Sequence, residues 1–222
     1  MRRALCSLGV GPHEELLQLT APSFAAFAKR HHYDLHLFTE RRSHERPVPW
    51  SKIPILQELL ASYEEVLWID ADAVVVDDSR DIASAVGDGA LMGICPHRTP
   101  EGDDPIPNAG VWFLRSEQET LSLLSDIWNC TAYVNHKWWE NAALLDVMGY
   151  ELEPTVRLVQ PSPIWSKTTF LTTEWNSIPV DSSPNPRILH FAGMSQEERI
   201  AAIKSALLSR SAHRGSGTQN ET

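Results

Sequence analysis

Asp70-Ala71-Asp72 sits at the end of the apolar run Val66-Leu67-Trp68-Ile69. Two carboxylates separated by one small residue leave a buried strand together, and side chains two apart on an extended backbone point the same way. Both can then reach one hard divalent cation, Mg²⁺ or Mn²⁺, which takes carboxylate, carbonyl and water oxygens. The strand itself offers no counter-charge, so a cation or a solvated turn has to relieve the repulsion. The placement points to an enzyme that handles a phosphate or pyrophosphate through a metal.

The elements that would position this pair alternate between strand and helix. Ala4 to Leu8 reads as a first strand closed by Gly9-Val10-Gly11-Pro12, and a helix follows in which Pro22 is a kink or a break. Tyr33 to Phe38 reads as a second strand. Ser51 is placed to cap a helix running to Ala61, with Pro54 in its first turn. Val66 to Ile69 is the third strand, and Val74 to Val76 a short extended piece beyond the carboxylates. Asp81 to Val86 reads as a short helix, Ala90 to Cys95 and Val111 to Leu114 as strands, and Pro96 to Pro107 as a polar loop. Glu117 to Trp128 forms a helix with Leu121, Leu124 and Trp128 on one face, and Glu140 to Val147 a second. Leu152 to Trp165 is extended and broken by proline. Arg187 to Phe191 is a late strand, and Gln196 to Ser209 a terminal helix. This order predicts a single α/β domain over 1–210 with a mainly parallel sheet flanked by helices, followed by a disordered tail over 211–222.

Bulk properties narrow the partners. The 222 residues are 42% hydrophobic and 22% charged, enough for one domain with a full core. A net charge of -10 argues against nucleic acid or an anionic membrane as a partner. A single nucleotide, neutralised locally by a metal, remains compatible. Cys6, Cys95 and Cys130 are scattered and show neither a disulfide framework nor zinc spacing, which suits a reducing cytoplasm. No apolar run approaches the roughly 20 residues of a membrane helix. The turn Gly9-x-Gly11 lacks the third glycine of the dinucleotide fingerprint.

Five segments, taken in order, resemble a known enzyme group. They are Trp50-Ser51-Lys52-Ile53-Pro54, Val66 to Ala73 with the acidic pair, Asn108-Ala109-Gly110-Val111-Trp112, Trp138-Trp139-Glu140-Asn141-Ala142, and His190-Phe191-Ala192-Gly193. The chain from Ala4 to Gly193 resembles the retaining glycosyltransferases of the glycosyltransferase-A fold. It is similar to the galactosyl and xylosyl transferases that include xyloglucan xylosyltransferases, with the glycogenin-like family as a cousin. The resemblance implies a nucleotide-sugar donor, UDP-sugar favoured, a small-molecule or saccharide acceptor, and a divalent metal, Mn²⁺ or Mg²⁺. It makes Asp70, Asp72 and His190 the metal ligands, and it puts Asp70 and Gly193 in the donor-binding set.

Glu140-Asn141 stands where the family often has Asp-Gln. The resemblance puts the acid on donor-sugar hydroxyls and the amide near the anomeric carbon, with reaches changed by one methylene each. Asn108 matches the asparagine near sugar and acceptor. Lys52 can offset phosphate charge, and Ser7 and Thr39, at the ends of the first two strands, are placed to touch base or ribose. The implied reaction retains anomeric configuration. Asn141 cannot serve as a carboxylate nucleophile, so a front-face route is expected.

Two other functions compete. Ile69-Asp70-Ala71-Asp72-Ala73-Val74 resembles the first motif of haloacid-dehalogenase-type phosphatases, with Asp70 as nucleophile, although that motif should follow the first strand. A non-catalytic nucleotide-sugar binding protein is the other.

Overall fold

The computed structural model describes residues 1–98 and 104–216, the last six of them by backbone alone. In chain order the elements are β1 (Arg3–Leu8), α1 (Pro12–His31), β2 (Asp34–Phe38), α2 (Lys52–Leu60), β3 (Glu65–Ile69), β4 (Ala73–Val75), β5 (Met92–His97), β6 (Ile106–Arg115), α3 (Gln118–Asn129), α4 (Trp139–Met148), β7 (Tyr150–Glu151), β8 (Arg157–Leu158), β9 (Thr168–Phe170), β10 (Ile188–His190) and α5 (Gln196–Ser216). Short 3₁₀ turns join several of them.

The central sheet has six strands in the order β2-β1-β3-β6-β5-β9. β1 runs parallel to β2 and to β3, and β5 parallel to β9. β6 is antiparallel to both of its neighbours, so it alone is reversed in an otherwise parallel sheet. Apolar side chains alternate to the two faces and make two cores. One, with Trp50, Trp68 and Trp112, lies under α2, α3 and α4; the other, with Phe24, Phe27 and Trp175, lies under α1 and α5. A near-continuous apolar strand such as Val66-Leu67-Trp68-Ile69 is what a sheet covered on both faces requires.

Several expectations shift in detail. Pro22 does not split α1, which runs unbroken from Pro12 to His31; it lies on the exposed side, where water can satisfy the carbonyl it leaves unpaired. Ser51 precedes α2 but its hydroxyl makes no cap; it accepts the Arg42 backbone N–H at 3.0 Å and pins the preceding loop. β6 begins at Ile106, so Ile106 and Pro107, expected in a polar loop, are strand residues and Asn108 follows in the same strand, with a bulge opposite Ile94/Cys95. On α3 the fully buried leucines and isoleucine are Leu123, Leu124 and Ile127, while Leu121 and Trp128 pack at the margin. β9 was not foreseen: it has only three residues and no flanking signal. α5 continues to Ser216, into the segment expected as a tail, and 217–222 lie outside the described residues, as does 99–103 of the polar loop with Asp103.

Candidate active site

The acidic pair converges, though not by strand alternation. Ala73 N–H bonds back to Asp70 C=O at 3.0 Å, so Asp70-Ala71-Asp72-Ala73 is a tight turn between β3 and β4. Thr20 from α1 donates its hydroxyl to Ala71 C=O at 3.1 Å and closes the turn from beneath. β10 then pairs antiparallel with β4, with His190 opposite Ala73, and Phe191 N–H bonds Asp72 C=O at 3.1 Å. The imidazole is thereby delivered to the carboxylates: His190 Nε2 lies 3.3 Å from Asp72 Oδ1 and 3.8 Å from Asp70 Oδ2. One donor atom from each of the three lies within 4.8 Å of the others.

The β3–β6 register explains why Asn108-Ala109-Gly110 adjoins this turn. Ile69 pairs with Val111, and Asp70 N–H continues the ladder to Gly110 C=O at 2.7 Å. Gly110 has no room for a side chain, since a Cβ there would lie 2.2 Å from His190 Cε1 and 2.9 Å from Asn108 Oδ1. The imidazole occupies the space a side chain at this position would fill.

Behind the turn stands a buried ion cluster. Lys52, at the start of α2, places Nζ 2.8 Å from Glu140 Oε1 and 3.2 Å from Asp70 Oδ1, and donates to Ala109 C=O at 3.0 Å. Trp68 donates its indole N–H to the same Asp70 oxygen at 2.6 Å. Burial works against the lysine charge, but Asp70 and Glu140 outweigh it and hold the ammonium above the ordinary lysine range. Burial pushes the Glu140 carboxyl up from its usual value, and Lys52 offsets that only in part. Glu140 Oε2 is buried and has no hydrogen-bond partner among the described residues. Burial likewise opposes the Asp72 charge, yet His190 and Arg199 together hold that carboxyl well below the usual carboxylate range.

The geometry can be set beside known proteins. The galactosyl transferase GMA12/MNN10 family matches residues 12–91. No curated protein matches the chain. Among solved structures, a glycosyltransferase involved in the glycosylation of the major capsid of PBCV-1 is 18% identical, with a TM-score of 0.68 over 92% of this chain and 100% of that one. The galactosyltransferase LgtC, in complex with donor and acceptor sugar analogs, is 12% identical, with a TM-score of 0.60 over 91% and 95%. GlyE of Streptococcus pneumoniae TIGR4 is 14% identical, with a TM-score of 0.55 over 95% and 65%. The chain has the glycosyltransferase-A fold. With the family match, that fold supports glycosyl transfer from a nucleotide sugar and bears out the expected glycosyltransferase class.

Within the glycosyltransferase-A fold, the donor set suits a divalent ion. Adjacent ligands of an octahedral ion with bonds of about 2.1 Å lie about 3 Å apart, close to the spacing of His190 Nε2 and Asp72 Oδ1. The His190 Nδ1 is 2.9 Å from Asn176 Oδ1, an acceptor, so this nitrogen carries the proton and Nε2 is the one turned to the carboxylates. Two carboxylates and an imidazole match Mn²⁺, and Mg²⁺ through the carboxylates.

The other predicted residues divide. Asn108 Oδ1 accepts from Gly110 N–H at 2.9 Å and Asn176 Nδ2 at 3.0 Å, so Asn108 braces the histidine's partner. Asn141 is spent on β6 backbone, accepting from Ala109 N–H at 2.8 Å and donating to Pro107 C=O at 3.1 Å. Ser7 is buried at the end of β1 with its hydroxyl unpartnered among the described residues, and Thr39 is exposed after β2. No described contact ties either to the carboxylates. Gly193, at φ 78°, turns the chain from β10 to α5 with open space above its Cα. Two residues at the centre were not singled out from sequence. Asn176 sits in a segment with no periodic signal. Arg199 stands in Gln196-Glu197-Glu198-Arg199, which reads as a solvated helix start.

Proposed function

We propose that this chain is a divalent-metal-dependent, retaining glycosyltransferase that moves a sugar from a nucleoside diphosphate sugar, UDP-sugar favoured, to a hydroxyl of a small acceptor. The observation that carries this reading is the convergence of Asp70, Asp72 and His190 beside the buried Lys52–Glu140 pair. Residues 1–210 are read as the catalytic domain. The three cysteines are free, which suits the cytoplasm, and among the described residues no helix is long and apolar enough to cross a membrane.

Asp70, Asp72 and His190 would hold Mn²⁺ or Mg²⁺, which supplies Lewis-acid stabilisation of the departing diphosphate. Asp72 and His190 are fixed from behind by backbone pairing and by Asn176, so the centre is organised before a donor arrives. The unpartnered Oε2 of Glu140 is free to accept a hydrogen bond from a donor-sugar hydroxyl. Lys52 keeps Glu140 and Asp70 in place and lowers the cost of gathering negative charge.

Retention by double displacement needs a carboxylate nucleophile. Asn141 is an amide with both ends engaged, and Glu140 is tied through Oε1 to Lys52, with Oε2 left to a sugar hydroxyl. A front-face route follows. The anomeric C–O bond to the diphosphate breaks, the acceptor oxygen bonds to the same face, and its proton passes to the diphosphate oxygen.

Calorimetric titration of UDP, GDP and their common sugars, with and without Mn²⁺, tests the reading. Binding of one nucleotide only with metal is expected, together with an α-linked product by NMR. Hydrolysis of a generic phosphate ester without nucleotide binding would instead favour the phosphatase. Metal-dependent binding with neither transfer nor donor hydrolysis would favour a binding protein.

A further inference from the structure

We propose that Arg199 is a positioning residue of the metal centre, holding the Asp72 carboxylate with one oxygen turned to the ion; this rests on the metal-dependent reading above. Asp72 is buried, and its two oxygens have different neighbours. Oδ1 faces His190 Nε2 at 3.3 Å, and Oδ2 faces Arg199 Nε at 3.1 Å. The same Nε donates to Phe191 C=O at 3.2 Å, while Phe191 N–H bonds Asp72 C=O. A single stretch of chain thus grips Asp72 by its backbone and, through α5, by its side chain.

The guanidinium is itself held. Its Nη1 lies 3.3 Å from His13 Nε2 in α1, and one helical turn earlier Gln196 Nε2 donates to Pro12 C=O at 2.7 Å. Glu197 and Glu198 on the same turn are exposed, whereas the Arg199 side chain keeps 18% of its surface in solvent. A planar guanidinium fixed on two sides gives a carboxylate one orientation, which a flexible ammonium does not.

Its charge and its geometry act in opposite directions on a metal. The positive charge repels a divalent ion and withdraws density from Asp72, so its loss alone would tighten metal binding. Its geometry keeps Oδ1 on the His190 side. The Nε–H is anchored on Phe191 C=O, which sets the guanidinium beside Oδ2 as an ion-pair partner; without it Oδ2 is a buried carboxylate oxygen whose counter-charge is gone, and the carboxylate rotates to find another partner. Outer partners of metal ligands are typically worth about 10- to 100-fold in affinity, so orientation outweighs repulsion here.

The experiment is Mn²⁺ titration of the full chain, followed by the EPR signal of free Mn²⁺, with and without UDP. Wild type is compared with Arg199→Met, which removes charge and donors, and Arg199→Lys, which keeps the charge and loses the fork. The expected result is a dissociation constant raised about 10-fold or more in Arg199→Met, with Arg199→Lys in between and thermal unfolding little changed. If Arg199→Met does not fold, weakened binding in Arg199→Lys, where the charge is retained, carries the result. Unchanged or tighter binding in the variants, with wild type binding normally, overturns the role of Arg199 alone. Wild type taking up no Mn²⁺ in either condition overturns the metal-dependent reading and this inference with it.

Discussion

At Gly110 one hydrogen atom decides whether the histidine can stand where the carboxylates need it. A methyl there would meet His190 Cε1 at 2.2 Å and Nδ1 at 2.6 Å, both in a buried side chain with nowhere to retreat. Gly110→Ala is expected to cost about 1–3 kcal/mol, as overpacking does, and to abolish Mn²⁺ uptake; urea unfolding and metal titration check the two effects. Asp72→Asn keeps the volume and removes the charge. Mn²⁺-dependent binding of the nucleotide and transfer should both be lost while the fold survives, and transfer within a few-fold of wild type would take Asp72 out of the ligand set. Glu140→Gln breaks the pair with Lys52 but leaves Asp70 as the ammonium's partner. Transfer should fall at least about tenfold, the size of a lost charge-assisted contact, with nucleoside diphosphate binding spared, as kinetics and calorimetry would read.

Among the elements, α4 and β5 carry the features least expected from sequence. α4 opens on Trp139 at φ 45°, a left-handed conformation that a bulky residue rarely adopts, and Glu140 follows directly. Such a conformation costs on the order of 1–3 kcal/mol. At the end of β5, His97 is buried, with Nδ1 3.4 Å from Asp181 Oδ2. Burial pulls its pKa down to about 4; Asp181 acts to raise it, and His190 adds to the lowering. Between that value and the ordinary 6.5 the unfolded chain binds the extra proton, so the contribution of neutral His97 is present above pH 6.5 and is lost as pH falls toward 4. Unfolding of wild type and His97→Gln from pH 7 to pH 4 should show the variant losing less stability across that window.

Across the whole molecule, what was legible follows what local pattern can encode. The strands and helices that carry a two- or 3.6-residue period were readable, and the Asp70–Asp72 pair stood out because two acids close a strong apolar run; Lys52 and Glu140 came only through the resemblance of the segments around them. The reversal of β6 was not, since strand direction is a property of pairing and leaves no mark in composition. The turn that joins the two carboxylates was mistaken for extended chain for the same reason: Ala71 favours neither. Asn176 and Arg199 stayed hidden because their partners lie far away in sequence and their neighbours are ordinary. His190 reached the list only through the motif around it. The closing strand β10 also bears on biosynthesis. β3 and β4 emerge from the ribosome long before β10 and α5, and until those arrive Asp72 has neither its imidazole nor its guanidinium. On the proposed reading the half-made chain would carry an incomplete metal site, and sugar transfer would wait until synthesis has passed α5.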